Sequence, residues 1–182
     1  MTDEIILVKP SSENEDEIRD YRDAFLMEDK KYSYIADRIP GLNLLEEFDE
    51  ISDWISFCDS VSDKISWYMG VRKADGKVIG FSCFRHRLKY DDDDPEFASH
   101  IGYSVRPDER GKGYAKAILR LTLQKAAELG KKKVRLICID TNTASSQVIK
   151  ACGGILIDSV YGGESGVTVN RYDIPLKEDT PH

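Results

Sequence analysis

The chain lacks the marks of several large protein classes. No apolar run approaches the roughly 20 residues needed to cross a bilayer. The opening Met1-Thr2-Asp3-Glu4 has none of the basic character that starts a secretory signal. A cytoplasmic protein is therefore expected, with no membrane partner. Basic charge is in deficit: 26 Lys and Arg face 33 Asp and Glu, for a net charge of −7. Nucleic acid needs a basic groove against its phosphates, so it is not expected as a partner. Cysteine is sparse. Cys58, Cys83, Cys138 and Cys152 form no C-x-x-C pair and no cluster with histidine. Three of them sit in apolar runs, which reads as free buried thiols in a reducing compartment and as no metal site. There is no internal repeat, linker or low-complexity boundary.

What is there fits one domain over residues 1–176, with a disordered tail at 177–182. Ile5 to Val8 reads as a strand. Ser12, with Glu15 three residues on, reads as the cap of a helix running to about Met27. Residues 30–40 are irregular and carry Tyr32 and Tyr34. A second helix is expected from Leu44 to Cys58, with Leu45, Phe48, Ile51 and Ile55 on one face. Trp67 to Arg72 and Val78 to Phe84 form a hairpin through Ala74-Asp75-Gly76-Lys77. An acidic loop, Asp91 to Asp94, precedes a strand from His100 to Val105.

Gly113 to Leu129 is the clearest helix: Ala115, Ile118, Leu119, Thr122 and Ala126 recur at spacings of three and four, and Gly130 stops it. The apolar run Val134 to Ile139 reads as a strand covered on both faces. A helix over Asn142 to Ala151 follows, then strands Ile155 to Tyr161 and Val167 to Ile174. This order defines an α/β (α+β) domain: a mixed central sheet of about seven strands flanked by about four helices.

The chemistry concentrates in Arg110-Gly111-Lys112-Gly113-Tyr114-Ala115, between a strand and a long helix. A helix start presents unpaired N–H groups and partial positive charge. The glycines admit a ligand close to the backbone, and Arg110 and Lys112 add charge. A diphosphate is the expected guest. The P-loop pattern is absent, and G-x-G-x-x-G fails because Lys116 replaces its third glycine. Coenzyme A is the third nucleotide reading.

The pattern [Q/R]-x-x-G-x-[G/A], met at Arg110, Gly113 and Ala115, resembles the pyrophosphate loop of the GNAT superfamily of N-acyltransferases. The stretch Ile101 to Arg110 looks like that superfamily's fourth strand and the turn after it. Asn142 falls where the family often opens its next helix, and Gly153-Gly154 where it usually has Gly-Phe. The likeness spans roughly Phe97 to Leu156. It implies acetyl transfer from acetyl-CoA, with no metal, to a small-molecule or peptide primary amine in a ternary complex. The backbone of Gly111, Lys112, Gly113, Tyr114 and Ala115 would hold the pyrophosphate. Tyr103, Ser104 and Val105 would splay from the next strand and admit the pantetheine arm, with Asn142 and Ser145 beside it. A module that binds acyl-CoA without transfer is the alternative. A homodimer through the last strands is left open.

Direct transfer needs a neutral amine. At pH 7 this costs a lysine-like group roughly 4.6 kcal/mol, which a base or water chain relieves. His100 is the candidate base, with Glu96 and His86 behind it. The N–H near Val105 is the natural donor to the oxyanion. Many relatives place an acidic Tyr seven residues after the Asn, where this chain has Ile149. Tyr161 and Tyr172 are the substitutes to consider. Cys152 fits a small buried thiol better than a nucleophile. Glu46, Glu47, Asp49 and Glu50 read as a solvated helix face.

Overall fold

The computed structural model describes residues 3–27, 39–88, 98–162 and 166–176. Tyr32, Tyr34, Asp91 to Asp94, Glu96 and the tail at 177–182 lie outside the described residues.

Strand β1 (Ile5–Val8) leads through a 3-10 turn to helix α1 (Glu15–Leu26), and α2 covers Ile51–Ser60. Strands β2 (Ile65–Arg72) and β3 (Val78–Arg85) form the hairpin, followed by β4 (Ile101–Val105) and α3 (Tyr114–Glu128). Then come β5 (Lys133–Ile139), α4 (Thr143–Ala151), β6 (Ile155–Gly162) and β7 (Val167–Pro175). The described residues thus hold the seven strands and four helices expected. The strands divide into two antiparallel sheets, β1-β2-β3-β4 and β5-β7-β6. Strands β4 and β5 are the facing edges.

Local signals explain most boundaries. The hairpin turns at Gly76, whose φ is +72°, and Asp75 accepts two bonds from Arg72 across it. Helix α3 ends as Gly130 predicts: Gly130 N–H donates to Ala127 and Lys131 N–H to Ala126, closing a Schellman motif. Helix α4 ends the same way at Gly153 and Gly154, which donate to Lys150 and Ile149. A Cβ on Gly154 would sit 2.4 Å from an Ile149 methyl, so no larger residue fits there without movement.

Three readings change. Helix α2 begins at Ile51, not Leu44. Leu44 adopts a left-handed φ of 70°, Leu45–Glu47 make one 3-10 turn, and Glu50 is extended. Burial of Leu42 and Leu45, and the bond from Trp54 Nε1 to Asn43 O, hold this segment in a wrapped path. Its apolar spacing imitates a helix. The first helix entry lies one residue earlier than expected, at Ser11, whose hydroxyl binds Asn14 Oδ1 and does not cap a backbone N–H. Strand β5 alternates: Val134, Leu136 and Cys138 are buried, while Arg135, Ile137 and Ile139 are half-exposed.

Helix α3 lies on the first sheet because that sheet has a trench. Gly70 and Gly80 are cross-strand partners, and Ile118 of α3 fills the space above both. Ile118 and Leu119 are fully buried, each contributing about 1.5–3 kcal/mol. The hydroxyls of Ser82 and Thr122 meet at 2.7 Å inside the same contact. This packing aims the N-terminus of α3 at the end of β4.

Candidate active site

The loop after β4 makes a 3-10 turn at Pro107–Glu109 and then two left-handed steps, Gly111 at φ +77° and Gly113 at φ +86°. Gly113 is the N-cap of α3, and the first i to i−4 bond runs from Ala117 N–H to Gly113 O. The N–H groups just before Ala117 have no acceptor within the helix and point out of its positive end. Gly111, Lys112 and Gly113 are exposed, and a Cβ built on Gly111 meets open space. Tyr114 instead turns inward. Its hydroxyl donates to Asp3 and accepts from Arg72, both at 3.1 Å, which ties the helix start to the first strands.

Beneath the loop lies a charge cluster that sequence reasoning missed. The Glu109 carboxylate is only 6% exposed and takes Lys77 at 2.7 Å, Lys112 at 2.8 Å and Arg72 at 3.2 Å. Asp108 pairs with Lys77 and Arg106, and Arg106 also reaches Asp20. Lys112 is thus directed at Glu109. Arg110 donates from Nε to Val105 O and stacks over the Phe25 ring. No sequence signal marked Glu109, because two of its partners lie more than thirty residues away.

These pairs set a pH dependence. Hydrogen bonds from Lys112 and Lys77 hold Glu109 down at about 2, and Arg72 does the same for Asp75. Burial pulls Asp108 upward, but Lys77 and Arg106 outweigh it and hold it at about 2. Depressed carboxylates stabilise the fold fully above their unfolded values of about 4, and this contribution drains away as pH falls toward the folded values. The urea midpoint should therefore fall between about pH 4.5 and pH 2. Glu109→Gln should flatten part of that fall. An identical pH profile in the variant would remove Glu109 from the linkage.

Strands β4 and β5 make a fork. Near its closed end His100 N–H donates to Arg135 O at 2.8 Å, and Arg135 N–H donates to His100 Nδ1 at 2.8 Å. Beyond that point the two strands share no ladder. Arg106 N–H donates to Ile79 O on the β3 side. Antiparallel alternation then turns the N–H groups of Tyr103 and Val105 toward the fork. Side chains alternate as well. The Tyr103 hydroxyl lies 3.0 Å from Ser145 Oγ, whereas Ser104 faces Tyr21 at 3.0 Å and the Pro40 carbonyl on the opposite side. Val105 is buried with Ile79, Tyr114 and Ile118. Asn142 Oδ1 accepts Ser145 N–H at 3.0 Å, capping α4 and leaving the amide N–H groups for other partners.

The fold thus brings Tyr103, Asn142 and Ser145 together along the fork, with Arg110 to Ala115 in the segment that continues from β4 into α3. It treats the candidate bases differently. The Nδ1 lone pair of His100 is taken by Arg135, so the proton sits on Nε2 and the ring has no free acceptor. Burial, aided by the Lys131 charge, lowers its pKa to about 4. His86 is bonded through both nitrogens, to Ser66 Oγ and to the Asp63 carbonyl. Ile149, at the position of the usual Tyr, is fully buried in the apolar cluster. Tyr161 is exposed on β6, and the Tyr172 hydroxyl is engaged by Ser146 at 2.7 Å. Burial raises the Cys152 thiol pKa, against nucleophilic use. All four cysteines are free.

A helix N-terminus at the mouth of a splayed strand pair is a site suited to an anion, and comparison places the chain. The chain belongs to the acetyltransferase (GNAT) family, whose model matches residues 13–153. It is accordingly an acetyltransferase. Among solved structures it resembles the spermidine N-acetyltransferase from Vibrio cholerae in complex with CoA and spermine. That match has 14% identity and a TM-score of 0.65, over 94% of this chain and 95% of that one. It also resembles a GNAT-family acetyltransferase from Streptococcus pneumoniae, at 15% identity and a TM-score of 0.68, over 96% and 100%. The ribosomal-protein-S5-alanine acetyltransferase from Vibrio fischeri matches at 14% identity and a TM-score of 0.67, over 97% and 94%. Likeness at such identity carries the fold. None of the curated proteins matches the sequence.

Proposed function

We propose that this acetyltransferase uses acetyl-CoA and transfers its acetyl group to a primary amine by direct attack in a ternary complex. The open fork between β4 and β5, continuing into the N-terminus of α3, carries this reading. The exposed glycines 111 and 113 fit a pyrophosphate against the backbone of Gly111 to Ala115. The fork-facing N–H groups of Tyr103 and Val105 suit the amide groups of a pantetheine arm, with the Asn142 amide and Ser145 beside it. The Val105 N–H would serve the oxyanion.

In this reading His100 positions β4 against β5, and water carries off the amine proton. His100→Ala should lower stability by about 1–3 kcal/mol, since it leaves the Arg135 N–H unpaired. It should leave the near-neutral shape of the pH–rate profile unchanged. A lost neutral titration would return His100 to the role of base.

A CoA-bound Vibrio neighbour that also holds spermine supports an amine acceptor in general. The net charge of −7 is compatible with a cationic guest. Among the described residues no helix is long and apolar enough to cross a membrane, and no His/Cys/Asp/Glu group could hold a metal ion. The reading is of one domain over 1–176 acting in the cytoplasm without metal or nucleic acid. Thiol release from acetyl-CoA across a panel of amines tests it. CoA binding with no turnover on any amine would overturn direct transfer to an amine.

A further inference from the structure

As the C–S bond of the thioester breaks, the leaving sulfur gathers negative charge, which a hydrogen-bond donor would stabilise. We infer that the Tyr103 hydroxyl is the hydrogen-bond donor to the departing CoA sulfur. The inference rests on the reading that the pantetheine arm occupies the fork between β4 and β5.

The placement of phenols decides it. Tyr103 leaves β4 on the side of α4, packs against the cluster that holds Leu119, Cys138 and Ile149, and ends 3.0 Å from Ser145 Oγ and 3.5 Å from Ser145 O. Its hydroxyl therefore reaches from one arm of the fork to the first turn of α4. The other described tyrosines with a claim are elsewhere or occupied. Tyr21 binds Ser104 on the opposite face of β4. Tyr172 binds Ser146 from β7, and Tyr161 is exposed on β6. Ile149 has no donor, and its methyl is pressed toward Gly154. An aliphatic residue at 149 and a phenol at 103 put the hydroxyl on β4 instead of α4.

The chemistry is that of a donor. Burial pushes the Tyr103 phenol up from its ordinary value, so it keeps its proton at neutral pH. The Ser145 contact allows either oxygen to donate. When the phenol turns its O–H to sulfur, the Ser145 hydroxyl can donate to the phenol oxygen. The amine nitrogen bonds the carbonyl carbon, the C–S bond breaks, and its electron pair goes to sulfur. Tyr103 stabilises that charge without losing its proton. The thiolate later takes a proton from water, and the amide nitrogen releases its surplus proton to water.

Tyr103→Phe removes only the hydroxyl and keeps the packed ring; its melting temperature is checked first. With acetyl-CoA the variant should lose roughly tenfold to a hundredfold in kcat. Its KM and its affinity for CoA should stay within about threefold, a smaller change than one lost bond to a charged group would cause. The discriminating measurement uses the acetyl selenoester of seleno-CoA, whose selenolate is a weaker base and departs with less help. On that donor the deficit of Tyr103→Phe should shrink to under about threefold. Ser145→Ala keeps the phenol and removes only the hydroxyl that supports it, so its loss on the thioester should be smaller than that of Tyr103→Phe.

An unchanged kcat, or an equal loss on thioester and selenoester, overturns the assignment. A donor-dependent loss in Ser145→Ala larger than that of Tyr103→Phe instead moves the role to Ser145. Failure of the wild type to bind CoA would strike the fork reading itself, a distinct outcome from normal binding with an unaffected Tyr103→Phe.

Discussion

Gly113→Leu is expected to raise the KM for acetyl-CoA by roughly ten- to a hundredfold, since each charge-assisted bond lost from the pyrophosphate is worth about 1.5–3 kcal/mol. Gly113 caps α3 at φ +86° and is exposed at the loop surface. A side chain there stands where the backbone should meet phosphate. It also imposes a left-handed conformation on a residue with Cβ, at about 1–2 kcal/mol. The fold should survive that cost, because no core contact is lost. Circular dichroism and a melting curve verify the fold, and initial rates at several acetyl-CoA concentrations give KM. Wild-type KM in a folded variant would refute the loop as the pyrophosphate site.

Gly80→Val should lower stability strongly, by about 3 kcal/mol, the upper end of what overpacking a well-packed contact costs. A Cβ on Gly80 would lie 2.4 Å from Ile118 Cδ1 and 2.5 Å from Ser104 O. The first contact is with a side-chain end, but the second is with backbone of β4. Shortening Ile118 to Ala in the same chain should therefore recover only part of the loss. Gly70→Ala behaves differently, because its two tight contacts, at 2.8 and 2.9 Å, are both Ile118 side-chain carbons. In a chain that already carries Ile118→Ala, Gly70→Ala should cost almost nothing further. Urea denaturation of the three single and two double variants measures this. Equal rescue at both glycines would show that β4 yields more readily than the geometry implies. Gly80→Val should also weaken acetyl-CoA binding, since it displaces the strand that borders the fork.

Where the sequence could be read correctly, the cause was local. The turn at Gly76, the stop at Gly130 and the glycine-rich start of α3 each depend on residues within one or two turns of the chain. The role of Asn142 was half legible: its position opening a helix was evident, and the structure adds that its carbonyl oxygen is committed to the cap. The segment before α2 misled, because Leu45, Phe48 and Ile51 keep helical spacing while wrapping the core in another conformation. Strand β5 misled in a similar way. Its apolar composition suggested two covered faces, but it sits at a sheet edge with one face half-open.

The sequence alone determined the family-like loop from Arg110 to Ala115, the α/β order of elements and the absence of a Tyr at 149. Each is a matter of residue type at short spacing. Tertiary structure decided what lies around that loop. Glu109 is buried beneath it by Arg72, Lys77 and Lys112, and Arg135 takes the lone pair that His100 would need as a base. Tyr103 meets Ser145 forty-two residues away. Those relations arise only when separate strands and helices are brought within hydrogen-bonding distance, which no local pattern encodes.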